Sequence, residues 1–136
     1  MQFDTKVALV IRSDLEAWQK LNVAAFVSSG IIAAAPECIG EPYQDGSGTG
    51  YLPLIRQPIL IYGADRAAMT RALDRALTRG VKPAIYTEDM FKTMHDEANR
   101  AAVKAVIRAE LNLVGIALRA ERKVVDKIVD GLKFHA

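Results

Sequence analysis

Lys6-Val7-Ala8-Leu9-Val10-Ile11-Arg12-Ser13-Asp14-Leu15 is the stretch whose reading decides the fold. Val7 to Ile11 is apolar on both alternating sets, the pattern of a strand covered on two faces and therefore central in its sheet. Ser13 followed by Glu16 has the form of a capping box, which predicts a helix directly behind the strand. At about 100° per residue, Leu15, Trp18, Asn22, Ala25, Phe26 and Ser29 share one side of that helix. Asn22 then stands among apolar neighbours, where an unpaired buried amide costs about 1–3 kcal/mol. It must meet either the backbone of a neighbouring loop or a ligand.

The rest of the chain repeats the strand-then-helix plan more loosely. Gln57 to Gly63 reads as a strand with Pro58 at its beginning, and Asp65 caps a helix through Met69, Leu73 and Leu77 that stops at Gly80. Lys82 to Thr87 makes a third strand. Thr87-Glu88-Asp89 opens a helical stretch with two carboxylates where the helix dipole favours them. Asp96 to Arg108 makes a further helix, capped by Asp96, with Ala98, Ala102, Val103, Val106 and Ile107 as its apolar stripe. Leu111 to Leu118 is a fourth strand, in which Gly115 marks a close approach by another backbone. Glu121 to Asp130 is a short helix stopped by Gly131, and Leu132 to Phe134 a final strand. Between Pro36 and Tyr51 the chain is irregular, and Gly46 to Gly50 suit either a turn between short strands or a flap over a site. Arg71, Arg75 and Arg79, four apart, either track phosphates or are simply solvated.

This order of elements predicts an α/β domain: a three-layer αβα sandwich around a largely parallel or mixed sheet of four to five strands. The 136 residues suit one domain over 1–136, and a composition of 51% hydrophobic and 25% charged residues is that of a globular chain. A net charge of +2 falls well short of a nucleic-acid footprint. Cys38 is the one cysteine, so no internal disulfide forms and a reducing, cytoplasmic setting is expected. No Cys/His set has zinc spacing, and neither metal nor cofactor is expected. The longest apolar stretch, near Ile31 to Ala35, is far below the roughly 20 residues of a membrane span, and no membrane partner is expected.

In sheets of this kind ligands gather beyond the carboxyl ends of the strands. That edge holds Asp14, Gly63 to Asp65, Glu88, Asp89 and the segment after Leu118. Polar side chains concentrate between Asp89 and Asn99. Asp89 and Thr93 share a helical face, as do His95 and Asn99, and the two pairs converge only where the helix breaks between Thr93 and Asp96. An imidazole at the position of His95 serves either as general acid or base or as a local hydrogen-bond partner.

Lys6 to Ile11, Asp14-Leu15 and Asn22-Val23-Ala24-Ala25-Phe26, with Leu113 to Ala117, Val125-Asp126-Lys127-Ile128 and Gly131-Leu132-Lys133, resemble the two ends of the type II peptidyl-tRNA hydrolase fold. Asp89-Met90-Phe91-Lys92-Thr93 can be laid over that fold's Asp-Ala-Gly-Arg-Thr motif, keeping the acid and the threonine. Asp14-Leu15, Trp18-Gln19, Asn22 to Phe26, Met90-Phe91, His95 to Asn99 and Val125-Asp126-Lys127 are similar, over nearly the whole chain, to the domain of unknown function 2000 family, which is related to the hydrolase fold and has no assigned activity. Against the hydrolase pattern, Asn22 replaces the lysine, Phe26 the glutamine and Ser29 a histidine. An amide cannot supply a cation to a developing oxyanion, although it still donates a neutral hydrogen bond.

Two functions are expected from this set. The first is a peptidyl-tRNA hydrolase II-like hydrolase acting on an ester or nucleotide-linked substrate. In it Asp89 and His95 are catalytic, and Asn22, Thr93, Asn99 and Asp14 bind substrate. The second is a non-catalytic homodimer that binds a small molecule or nucleotide, with RNA as a less supported partner.

Overall fold

Strand β1 (Thr5–Arg12) sits in the middle of the sheet and its alternation builds two cores. Val7, Leu9 and Ile11 enter one, and Ala8 and Val10 the other. The computed structural model describes residues 3–136. Helix α1 (Ala17–Ala34) follows β1, and then come the hairpin strands β2 (Tyr43–Gln44) and β3 (Gly50–Tyr51), strand β4 (Ile59–Ala64) and helix α2 (Arg66–Thr78). Strand β5 (Ala84–Thr87), helix α3 (Asp96–Lys104), strand β6 (Leu113–Glu121), helix α4 (Arg122–Ile128) and strand β7 (Lys133–Phe134) complete the order.

The sheet is mixed, with the order β5-β6-β1-β4-β7. β1 and β4 run parallel, whereas β6 is antiparallel to both β1 and β5, and β7 to β4. Helix α1 packs on one face, and α2 and α4 on the other. The direction of β6 corrects one expectation. Glu121 pairs with Thr5, so the segment after Leu118 lies at the rim opposite Asp14, and Asn112, just before the strand, takes its place beside the carboxyl ends.

Helix α1 buries Val23, Val27 and Ile31, an i, i+4, i+8 line of branched side chains against the sheet. The expected face is therefore off by about one residue, roughly 100°. Asn22 is exposed rather than buried, and Trp18 and Phe26 keep 60% and 55% of their surface. Both lines are apolar, and it is the branched one that packs against the sheet. The start differs too: the helix begins at Ala17, with the Glu16 backbone N–H donating to Gln19 Oε1 at 2.9 Å in place of a box on Ser13. Ser13 instead ends β1 in a turn, its N–H bonded to the Ala64 carbonyl at 3.0 Å.

Several local signals hold and two differ. Asp65 accepts from Ala68 N at 2.8 Å, and Gly80 and Gly131 take positive φ values of 72° and 86° beyond α2 and α4. A Cβ on Gly115 would meet Val23 Cγ1 at 2.2 Å, so this glycine lets α1 settle on β6. Arg75 donates to the Ile128 and Asp130 carbonyls and clasps α2 to the end of α4. The Gly46 to Gly50 stretch is the turn of the β2–β3 hairpin, where the Asp45 carboxylate accepts from Ser47 N, Thr49 N and the Tyr51 hydroxyl. Helix α3 ends at Lys104 rather than Arg108, because the chain turns there to bring Leu111 into the core under α2.

Candidate functional site at the β5 edge

Strand β5 is an edge strand, and α3 packs on the Glu88–Lys92 turn that follows it. Between them and the second half of α1 lies a cleft of about 580 Å³. Helix α1 supplies Phe26, Val27 and Gly30 to its base and β5 supplies Ala84 to Tyr86, with Met90 alongside. Gly30 is required here, since a Cβ at this position would meet Ala84 Cβ at 2.7 Å. Trp18, Phe91, Tyr86 and Phe26 form a chain of ring contacts, with centroids 5.9, 5.3 and 5.7 Å apart, that braces this wall. Burial raises the Tyr86 phenol pKa, so it stays protonated through neutral pH.

The opposite wall comes from a break in the helical stretch. Glu88–Lys92 is a 3-10 turn, Thr93 and His95 are extended, and α3 starts at Asp96. The Thr93 hydroxyl lies 3.0 Å from the Met90 carbonyl and is also hydrogen-bonded to the Asn99 side-chain amide, which ties Asn99 to the segment before α3. His95, not Asp96, caps α3: its Nδ1 accepts the Ala98 N–H at 3.2 Å. A nitrogen that accepts carries no proton, so in the neutral ring the proton sits on Nε2. Arg100 pairs with Asp96 one turn away, and Lys104 has no ion pair among the described residues.

Thr93, His95 and Asn99 thus meet around one cleft, while Asn22, Asp89 and Asp14 are not among the residues that line it. Asn22 and Asp89 are exposed elsewhere. Asp14 belongs to a second polar group that the sequence reading missed, centred on the buried Arg12 at the end of β1. Arg12 Nε donates to Asp14 Oδ1 at 2.8 Å, and Nη1 donates to Asn112 Oδ1 at 2.5 Å. Asn112 in turn donates to Glu88, whose carboxylate lies 3.7 Å from Arg12 Nη2. The bond from Arg12 holds the Asp14 carboxyl below the usual carboxylate range. One signal was available in the sequence: a cation ending an apolar strand two residues before an acid. Its partners Glu88 and Asn112 are distant in sequence.

Among the described residues no group of three or more His, Cys, Asp or Glu side chains converges to hold a metal ion. Nor is any described helix long and apolar enough to cross a membrane. The fold and site define an α/β protein whose mixed five-stranded sheet carries an edge cleft under a peripheral helix. The chain belongs to the family described as protein of unknown function (DUF2000), whose model matches residues 5–136. It is also similar to the solved structure of a protein of unknown function from Agrobacterium tumefaciens strain C58. The two are 49% identical, with a TM-score of 0.97 over 99% of this chain and 100% of that one. No curated protein matches the chain.

Proposed function

We propose that the protein binds a small molecule in the β5-edge cleft and releases it unchanged. The observation that carries this is the cap on α3. With Nδ1 of His95 held by the helix, its free Nε2 carries the proton in the neutral ring and donates to a ligand, or as a general acid, but lacks the lone pair of a general base, and the one carboxylate lining the cleft, Asp96, is paired with Arg100. Asp89, the other candidate for acid or base, is exposed and outside the cleft. The cleft's size is that of a ligand pocket, and its mix of an apolar base with a few convergent polar groups suits recognition.

The proposal includes kinship with the type II peptidyl-tRNA hydrolase fold, supported by the shared stretches at the two ends of the chain. It also includes a homodimer, supported by Leu21, Leu52 and Leu54, which lie at 74%, 84% and 61% exposure. A thermal-shift screen of metabolites and nucleotides, followed by calorimetry, tests the binding. A saturable ligand with no turnover is expected. Hydrolysis of an ester or aminoacylated substrate that is lost in Asp89→Ala or His95→Ala would replace this function with the hydrolase. A sedimentation mass of 14.9 kDa at micromolar concentration would remove the dimer.

A further inference from the structure

The groups that α3 and the segment before it contribute to the cleft are polar and, on balance, cationic. His95 offers Nε2–H because the helix occupies Nδ1, and the Asn99 amide, tied to Thr93, stands one turn further along the same helix. Arg100 and Lys104, one turn apart on the same helix, add two cations at the margin. The wall's one carboxylate, Asp96, is taken by Arg100. Opposite them the base is aromatic and thioether: Phe26, Tyr86 and Met90. With one carboxylate against two cations and the His95 N–H, the wall is net positive and favours a ligand group that carries negative charge.

On the assumption that the cleft binds a small molecule, we infer that its ligand is an organic anion. A carboxylate or phosphate group meets His95 Nε2–H at the start of α3, with Lys104 further along the helix as a cation in its field, and a planar apolar body lies on Phe26, Tyr86 and Met90. The charge distribution of the whole chain does not impose this. Net charge is only +2, and the positive balance at the cleft is local, from Arg100 and Lys104 against Asp96, with the His95 Nε2–H freed by the cap on Nδ1. Helix α3 buries no residue completely. It is held by half-buried Val103 and, beyond its end, Val106, so a ligand bridging it to β5 protects it from opening.

Phenylacetate and its neutral isostere phenylacetamide, titrated into the full chain and followed by amide chemical shifts, separate charge from shape, and phenyl phosphate distinguishes phosphate from carboxylate. Charge-assisted bonds are roughly twice as strong as neutral ones, so phenylacetate should bind about tenfold more tightly than the amide and weaken as salt is raised. Lys104→Met keeps the apolar stem and should lower the acid-to-amide ratio about threefold to fivefold. Slower hydrogen exchange across 96–104 with phenylacetate bound is the second readout. Equal affinity for acid and amide would overturn the anion while leaving a binding cleft. Binding of neither aromatic acid at millimolar concentration would overturn it too, and the metabolite screen then decides the fate of the cleft itself.

Discussion

Gly30→Ala sets two effects of similar size against each other at the base of the cleft. In the interior of α1, replacing glycine by alanine stabilises a helix by about 1 kcal/mol. The new Cβ, however, would stand 2.7 Å from Ala84 Cβ, well inside the 3.4–4 Å of ordinary contact, and both partners are stiff. Overpacking of this kind costs about 1–3 kcal/mol. The expected net loss is therefore about 0–2 kcal/mol, too broad a range to be decisive alone. A double-mutant cycle with Ala84→Gly isolates the clash. Ala84→Gly alone costs about 1 kcal/mol in the strand, and the double variant removes the contact while keeping the helical gain, so it should return close to wild type. The coupling energy then equals the clash, about 1–3 kcal/mol, read from urea unfolding at unchanged m value. Coupling below about 0.5 kcal/mol, or a Gly30→Ala chain stabilised by the full helical increment, would refute the close approach that shapes the cleft.

Three further outcomes follow from the same coordinates. Gly115→Ala forces a Cβ to within 2.2 Å of Val23 Cγ1, whose side chain is fully buried, so it should cost about 3 kcal/mol and lower Tm by about 10 °C in a calorimetric scan. Adding Val23→Ala should cost less than its own single effect. Arg12→Met unpairs Asp14, Glu88 and Asn112, but 70% of the Asp14 side chain and 49% of the Glu88 side chain are exposed and can be rehydrated. The loss in chemical unfolding should therefore be about 1–2 kcal/mol rather than the roughly 3–5 of a dry pair. Because the Arg12 bond depresses the Asp14 pKa in the fold, its contribution is present above the ordinary value of 3.8 and is lost as pH falls below it. Asp14→Asn should consequently match the wild-type pH slope of stability above about pH 5 and flatten it below about pH 4.

Patterns carried over short spans were legible without coordinates. The double-sided apolar run of β1 has no stable place except between two layers, and Asp65, Gly80 and Gly131 act on backbone groups within a few residues of themselves. Gly115 announced a close approach by another backbone, whereas what approaches it is the Val23 side chain of α1. The break before Asp96 was the stated condition for the pairs Asp89/Thr93 and His95/Asn99 to converge; the break is present and brings Thr93 to His95 and Asn99, but Asp89 stays outside the cleft. The rotation of α1 was not legible, because it carries two apolar lines and only packing against the sheet decides between Val23-Val27-Ile31 and Trp18-Phe26.

What the amino-acid order alone determined is thus the set of elements, most of their ends and a concentration of polar groups between Asp89 and Asn99. These depend on interactions within a turn or two of helix, whose geometry is the same in every protein. The tertiary structure alone decided that β6 runs antiparallel, that Arg12 gathers Asp14, Glu88 and Asn112, and that the cleft lies along β5 with Asn22 and Asp89 outside it. Each of those depends on which distant segments become neighbours. That choice is settled by summed burial across the whole sheet, and no single side chain encodes it.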